Sequence, residues 1–154
     1  PEGIAWGWRV LSPESPFTEG AAYSDADTIK FLILLTDGEN NVGGGGNYHN
    51  GSSFSAFGFA ASGHLGNVNG SEARQVLDAK TAQLCTNVKA RGIFVYTIAL
   101  QITDGATRTL LANCATPASE CPGGQCAYES PTASALETVF SNIALGINQL
   151  RVAR

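Results

Sequence analysis

Charged side chains are scarce in this sequence. Asp, Glu, Lys and Arg make up only 14% of the 154 residues, and the formal net charge is −4. The nine Lys and Arg residues are scattered, so no segment could neutralise a row of phosphates, and we expect no nucleic acid partner. Gly, Ser, Asn and Thr take the place of charge, which is more typical of secreted or periplasmic proteins than of cytosolic enzymes.

Long apolar runs are also missing. The longest, at residues 31–35, has the length of a strand and falls far short of the roughly 18 residues that span a bilayer. No signal-peptide pattern is present. The chain begins at Pro1 rather than Met, so we expect a processed or excised segment from which targeting information has been removed.

The sequence offers no constellation of residues typical of an enzyme. It has no G-x-S-x-G nucleophile motif, and Gly43–Gly46 is not followed by the Lys-Ser/Thr pair of a phosphate-binding loop. His49 and His64 lie far apart in Gly-rich sequence, which disfavours a transition-metal site. A hydrolase built on Asp37 and Glu39 would lack a nucleophile paired with a base. We therefore predict that the protein is not an enzyme.

Four cysteines allow three disulfide connectivities: Cys85, Cys114, Cys121 and Cys126. Their spacing lacks the paired C-x₂-C pattern of zinc sites. We favour Cys85–Cys114 and Cys121–Cys126; the alternative is four buried thiols in a reducing compartment. The disulfide interpretation predicts an oxidising, extracytoplasmic location.

Helical and strand patterns alternate along the chain. Two strands are predicted over 28–35 and 93–100; residues 31–35 of the first and nearly all of the second are apolar without polar alternation, which is typical of parallel strands covered on both faces. A third, short strand is predicted over 127–129, and helices over 3–11, 71–91, 104–113 and from residue 132 onward. This order predicts one α/β domain over residues 1–154, with a doubly wound, Rossmann-like parallel sheet between two helical layers.

Residues 41–70 interrupt this pattern with a long segment rich in Gly, Asn and Ser. Its Gly43–Gly46 run favours neither helix nor strand. We expect a long loop, with short strand pairing around Phe54, Phe57 and Phe59. Loops of this length in a compact domain are usually functional or disordered.

An acidic residue follows the first predicted strand, in the run Thr36-Asp37-Gly38-Glu39-Asn40. Ligands of open parallel sheets bind outside the carboxyl ends of the strands, which is where Asp37 would lie. Asp37 could hold a hard cation through oxygen or form an Asx turn, and spacing alone does not decide between them. Thr36, Glu39 and Asn40 are further candidates for a binding face.

Several motifs resemble one family. The run FLILLTDGEN at the end of a strand resembles the third metal-site motif of von Willebrand factor A (VWA) domains. Four further segments, in chain order, resemble the C-terminal half of TadG-like tight-adherence pilus-assembly proteins: WGWRVLSP, CTNVKARGIFVYTIAL, LLANCA and ALETVFSNIALGINQLRVAR. These matches cover nearly the whole chain, except the Gly-rich loop and the segment from Cys121 to Cys126.

The resemblance implies a bacterial periplasmic or cell-envelope protein with an N-terminal membrane anchor. Its partners would be other pilus-assembly or envelope proteins. It also implies a metal-ion-dependent adhesion site made of three loops, of which this chain carries only the third, at Asp37. No Asp-x-Ser-x-Ser motif occurs here, so we expect Mg²⁺ or Ca²⁺ only in the complete domain and no tight binding to this chain. The alternative function is a metal-dependent ligand-binding adhesin module.

The resemblance further implies a strand order of 3-2-1-4-5-6, of which this chain would supply strands 4, 5 and 6. The N-terminal strands would be missing, and the first strand here would lose its neighbour. An apolar strand edge without a neighbour invites pairing with another chain. We therefore expect the chain either to self-associate through that edge or to be recovered with the edge covered.

Overall fold

The structure is a computed structural model that describes residues 1–42, 54–59, 62–66, 70–130 and 132–152. The helices are α1 (Glu2–Leu11), α2 (Gly70–Ala90), α3 (Gly105–Cys114) and α4 (Leu136–Val152). The strands are β1 (Phe31–Thr36), β2 (Phe54–Ser55), β3 (Gly58–Phe59), β4 (Phe94–Leu100) and β5 (Ala127–Ser130). Short 3₁₀ turns cover Pro122–Gly124 and Ala133–Ala135.

The central sheet is parallel and has the order β1-β4-β5. Phe31 of β1 lies opposite Phe94 of β4, and Thr97 of β4 lies opposite Ala127 of β5. The predicted alternation of helices with parallel strands is confirmed, although β1 begins three residues later than expected. The chain is therefore a mixed α/β protein with a small parallel sheet.

Helices cover both faces of β4. On one face, α1, α2 and α3 contribute to a single core around β1 and β4, whose buried members are Ile4, Leu32, Cys85, Val88, Ile93, Val95 and Cys114. On the other face, Val139 and Ile143 of α4 pack in a second core with Tyr96 and Ile98. The expected arrangement of helices around the central strand is thus observed.

The prediction that both long strands are buried on both faces is wrong for β1. Ile33 is 43% exposed and Leu35 is 41% exposed, although both are apolar. The cause is position: β4 is the central strand, whereas β1 lies at one edge of the sheet. The buried side chains of α4 pack against Tyr96 and Ile98, and neither Ile33 nor Leu35 belongs to a core cluster.

The apolar residues of α4 are only partly buried. Val139 and Ile143 lie in the core, but Phe140 and Ala144 of the same helix are exposed. The docking of the helix is set by a close approach at Gly146, where an added Cβ would lie 2.7 Å from the carbonyl oxygen of Pro122. A glycine is therefore required there, and α4 packs against the loop closed by the second disulfide.

Part of the 41–70 segment is ordered against α2. Val42 and Leu65 are buried in a third core with Ala73 and Leu77 of α2. β2 and β3 pair antiparallel, with Phe54 opposite Phe59, so the short pairing expected around the phenylalanines is confirmed. The Gly43–Gly46 run and His49, by contrast, lie outside the described residues.

Both favoured disulfides are present. Cys85 of α2 is joined to Cys114 of α3, and Cys121 to Cys126, with Cα–Cα distances of 5.0 and 5.8 Å respectively. No cysteine is free. Paired disulfides are typical of proteins that fold in an oxidising compartment outside the cytoplasm. In the described ranges, none of the helices is at once long and apolar enough to cross a membrane.

Candidate functional site

The loop after β1 brings Asp37 to the carboxyl edge of the sheet. Thr36, the last residue of β1, donates its hydroxyl hydrogen to the carbonyl oxygen of Gly38 at 3.0 Å and accepts the Gly38 N–H at 3.3 Å. Thr36 therefore forms the turn, and Asp37 is not needed for it. Asp37 is exposed and forms no hydrogen bond or ion pair with any described residue.

A guanidinium from α2 organises the carboxylates around this loop. Arg74 forms an ion pair with Glu39, and its guanidinium lies 2.6 Å from Asp104 and 3.8 Å from Asp78. Partial desolvation acts to lower the pKa of Arg74, but the hydrogen bond to Asp104 and the nearby carboxylate charges raise it overall. Arg74 thus joins the loop after β1 to the start of α3.

Asn40 fixes the same loop to α2 through its side-chain amide. Its Nδ2 donates to Asp78 Oδ1 at 2.8 Å and to Thr81 Oγ1 at 3.0 Å. Thr81 is buried and donates in turn to the carbonyl oxygen of Leu77 at 2.9 Å. Glu39 and Asn40, both candidates for a binding face, therefore hold the loop in place, and Asp37 takes no part in these contacts.

Asp104 lies beside this cluster because it caps α3. Its Oδ2 accepts the Thr107 N–H at 2.7 Å and the Thr107 hydroxyl at 2.7 Å, which satisfies an otherwise unpaired N–H in the first turn. The hydrogen bonds from the Thr107 hydroxyl and N–H, followed by Arg74, lower the pKa of Asp104. The helix start predicted at Asp104 is confirmed.

The lowered pKa of Asp104 makes a stability contribution that depends on pH. A carboxyl group whose pKa is lower in the folded state stabilises it fully above the ordinary aspartate pKa of about 3.9, and this contribution is lost as the pH falls through the folded value. We expect Asp104→Asn to be less stable than the parent protein at pH 6, with the difference shrinking below about pH 4. Urea unfolding from pH 2 to pH 7 measures this. A difference that stays constant over that range would contradict the assignment.

The residues around Asp37 do not fit a tightly bound divalent cation. Such an ion needs about six oxygen ligands. Glu39, Asp78 and Asp104 are engaged with Arg74, whose positive charge occupies the centre of the cluster. No group of three or more His, Cys, Asp or Glu side chains suited to a metal occurs in the described part of the chain, where His64 is exposed.

The carboxyl edge of the sheet has an acidic rim next to a pocket with a mixed apolar and polar lining. Three carboxylates face a single arginine there, since Glu39, Asp78 and Asp104 surround Arg74, and the exposed Asp37 lies in the same loop as Glu39. Beside them lies a pocket of about 230 Å³, whose lining includes Ile4, Leu34, Thr36, Asn40 and Leu110. This combination suits a protein segment that presents a basic side chain next to an apolar one.

Comparison of the chain with protein-family models, with curated proteins and with solved structures found no match in any of the three. The resemblance to TadG-like proteins therefore stays a prediction that rests on the quoted motifs.

Proposed function

We propose that this chain is a non-enzymatic module of a bacterial cell-envelope protein in tight-adherence (Flp-type) pilus assembly, and that it acts by binding other proteins. The observation that carries the proposal is the acidic rim at the carboxyl edge of the sheet. There Arg74 and Asn40 hold the loop after β1 in place while Asp37 stays exposed. A surface held in one conformation loses little entropy when it binds.

The chemistry of the rim favours recognition over catalysis. Its polar groups are carboxylates, one arginine and one amide, and the described residues there include no serine, cysteine or lysine hydrogen-bonded to a base. A covalent mechanism would need such an activated nucleophile. The rim offers instead negative charge beside a partly apolar pocket, which suits a partner surface with basic and apolar side chains.

The sheet supports the finer part of the proposal, a doubly wound VWA-type domain. Its order β1-β4-β5, with all strands parallel, is the order expected if these are strands 4, 5 and 6 of such a domain. In this assignment the N-terminal strands and the membrane anchor belong to the upstream part of the protein. The two disulfides fit a location in the periplasm or at the cell surface.

Site-specific photocrosslinking in the bacterial host tests the proposal. A photoreactive residue at position 37 is expected to capture other proteins of the pilus machinery, identified by mass spectrometry. The same residue at Lys80, which is exposed on α2, is the matched control and should not capture them. Capture of the same proteins from both positions, or of none from position 37, would contradict the assigned face.

The second candidate function is a metal-dependent adhesin module, and the exposed carboxylate of Asp37 favours it. Calorimetry separates the two candidates. It measures the binding of Mg²⁺ or Ca²⁺ to a chain extended upstream to include an Asp-x-Ser-x-Ser strand. Metal binding that disappears in Asp37→Ala supports the adhesin. Crosslinking to pilus proteins without metal binding supports the leading proposal.

A further inference from the structure

Three cationic side chains lie near the amino end of β1, at the end of the sheet opposite Asp37. Arg9 lies in α1, Lys30 directly precedes β1, and Arg91 follows α2. The Lys30 Nζ is 4.5 Å from the centroid of the Tyr23 ring, and the Arg91 Cζ is 5.3 Å from it. These residues are far apart in the sequence, so the scattered basic residues gave no sign of the cluster.

Lys30 contributes a buried positive charge. The residue is only 8% exposed, and its amine donates to the carbonyl oxygens of Leu11, at 2.5 Å, and Ala21. It forms no ion pair with a described carboxylate. The nearest acidic influence is Asp25, whose pKa is lowered mainly by the Thr28 hydroxyl and the Asp27 N–H and also by the charge of Lys30. A buried charge without a close counterion is costly.

The two arginines are unpaired as well. Arg74 and Arg108 form ion pairs, whereas Arg9 and Arg91 form none with the described residues. The C-terminal ends of α1 and α2 compensate part of this charge, at roughly half a negative charge each. With Glu14 and Asp25 also counted, the charge at this end of the molecule is roughly balanced, so what distinguishes this end is the placement of the two guanidinium groups and not a net excess of charge.

Of the three cations, Arg9 and Arg91 line a pocket of about 280 Å³ between α1, the segment that follows it and the end of α2. The lining includes Trp8, Arg9, Glu14, Tyr23, Leu84 and Arg91. Trp8 Nε1 donates to the Tyr23 hydroxyl oxygen at 2.9 Å, which orients the phenol and leaves its own O–H without an acceptor among the described residues. The pocket thus combines aromatic and apolar walls with guanidinium and hydroxyl donors.

We propose that this pocket binds a carboxylate carried on a small aromatic or aliphatic group. Arg9 and Arg91 hold the carboxylate, since planar guanidinium groups match its two oxygens, and Tyr23 can donate a further hydrogen bond. Trp8 and Leu84 contact the apolar part of the ligand. The carboxylate comes from an acidic segment of another protein or from a free carboxylic acid. This site does not depend on the function proposed for the acidic rim.

Trp8 is a reporter within the pocket. The chain has two tryptophans, so Trp6→Phe leaves Trp8 as the single tryptophan, whose emission is read. Two matched pairs are titrated into this variant: phenylacetate against phenylacetamide, and the capped peptide Gly-Phe-Asp-Gly against Gly-Phe-Asn-Gly. We expect the carboxylate of at least one pair to change Trp8 fluorescence with an affinity that falls as salt rises, and its amide counterpart to have no effect.

Variants in the same background test the assigned residues. Arg91→Gln is expected to weaken binding about tenfold or more, and Glu14→Gln, which removes an acidic group from the lining, to strengthen it. Lys80→Gln makes the same charge change at an exposed site on α2 and should have no effect. Thermal melting of each variant checks that it is folded.

The pattern of responses identifies the source of the ligand. Binding of the peptide alone supports a partner-protein segment, and binding of phenylacetate as well supports a site that accepts free acids. Equal responses to carboxylate and amide, no response to any of the four compounds, or equal losses in Arg91→Gln and Lys80→Gln would overturn the proposal.

Discussion

Removal of the Cys85–Cys114 disulfide is expected to lower the free energy of unfolding by about 3–4 kcal/mol. The bond joins residues 29 positions apart, so in the chain-entropy model its loss restores much freedom to the unfolded chain. It also joins α2 to α3 within the main core, where both cysteines are buried. Since typical domains are stable by about 5–15 kcal/mol, this loss would remove a large part of the total.

The double variant Cys85→Ala/Cys114→Ala measures the effect by urea unfolding. Cys121→Ala/Cys126→Ala is the matched control. It also removes one disulfide, but that bond joins residues only 5 positions apart. The expected loss for the control is about 2 kcal/mol. If the control variant were destabilised as much as or more than the first, loop length would not be the cause.

The elements of this fold could be predicted because their signals are local. The continuous apolar run of β4 and the Asp104 cap of α3 each depend on a few neighbouring residues, and both are observed. The exposure of Ile33 and Leu35 could not be predicted from the apolar run of β1. Their sequence looks like that of a central strand, and only the sheet order places β1 at the edge.

The candidate site could be predicted only in part. The position of Asp37 followed from one rule, that carboxyl ends of parallel strands meet at one edge. The contacts of Arg74 could not be predicted, because Glu39 lies 35 residues before it and Asp104 lies 30 residues after it in the sequence. The cluster of Arg9, Lys30 and Arg91 was hidden for the same reason. No local pattern tells which charged residues will become neighbours.

The outer edge of β1 is expected to drive self-association of this chain. Phe94 N–H donates to the carbonyl oxygen of Lys30, so Lys30 and every second residue after it point their backbone groups at β4. The intervening residues Phe31, Ile33 and Leu35 therefore direct N–H and C=O outward. No described strand pairs with these outward groups, and such an edge is a template for another chain.

A second copy fits this edge by antiparallel pairing about a two-fold axis. Ile33 would then lie opposite Leu35 of the other copy, so residues with outward backbone groups would pair with one another. Their exposed side chains lie on one face of the strand and would be covered together. The same residues thus provide both the hydrogen bonds and the apolar contact, and the sheet would continue from three strands to six.

Ile33→Lys is expected to weaken this association by about a hundredfold or more, because a lysine there would have to bury its charge against Leu35 of the other copy. Leu145→Lys is the matched control, since it also places a lysine at an exposed leucine or isoleucine position, but on α4 and not on the β1 edge. Light scattering and sedimentation over a range of concentrations measure the change. Amide hydrogen exchange at Ile33 and Leu35 should slow as the parent protein associates. A parent protein that stays monomeric with these amides already protected would show that its own chain covers the edge, and self-association would have to be abandoned.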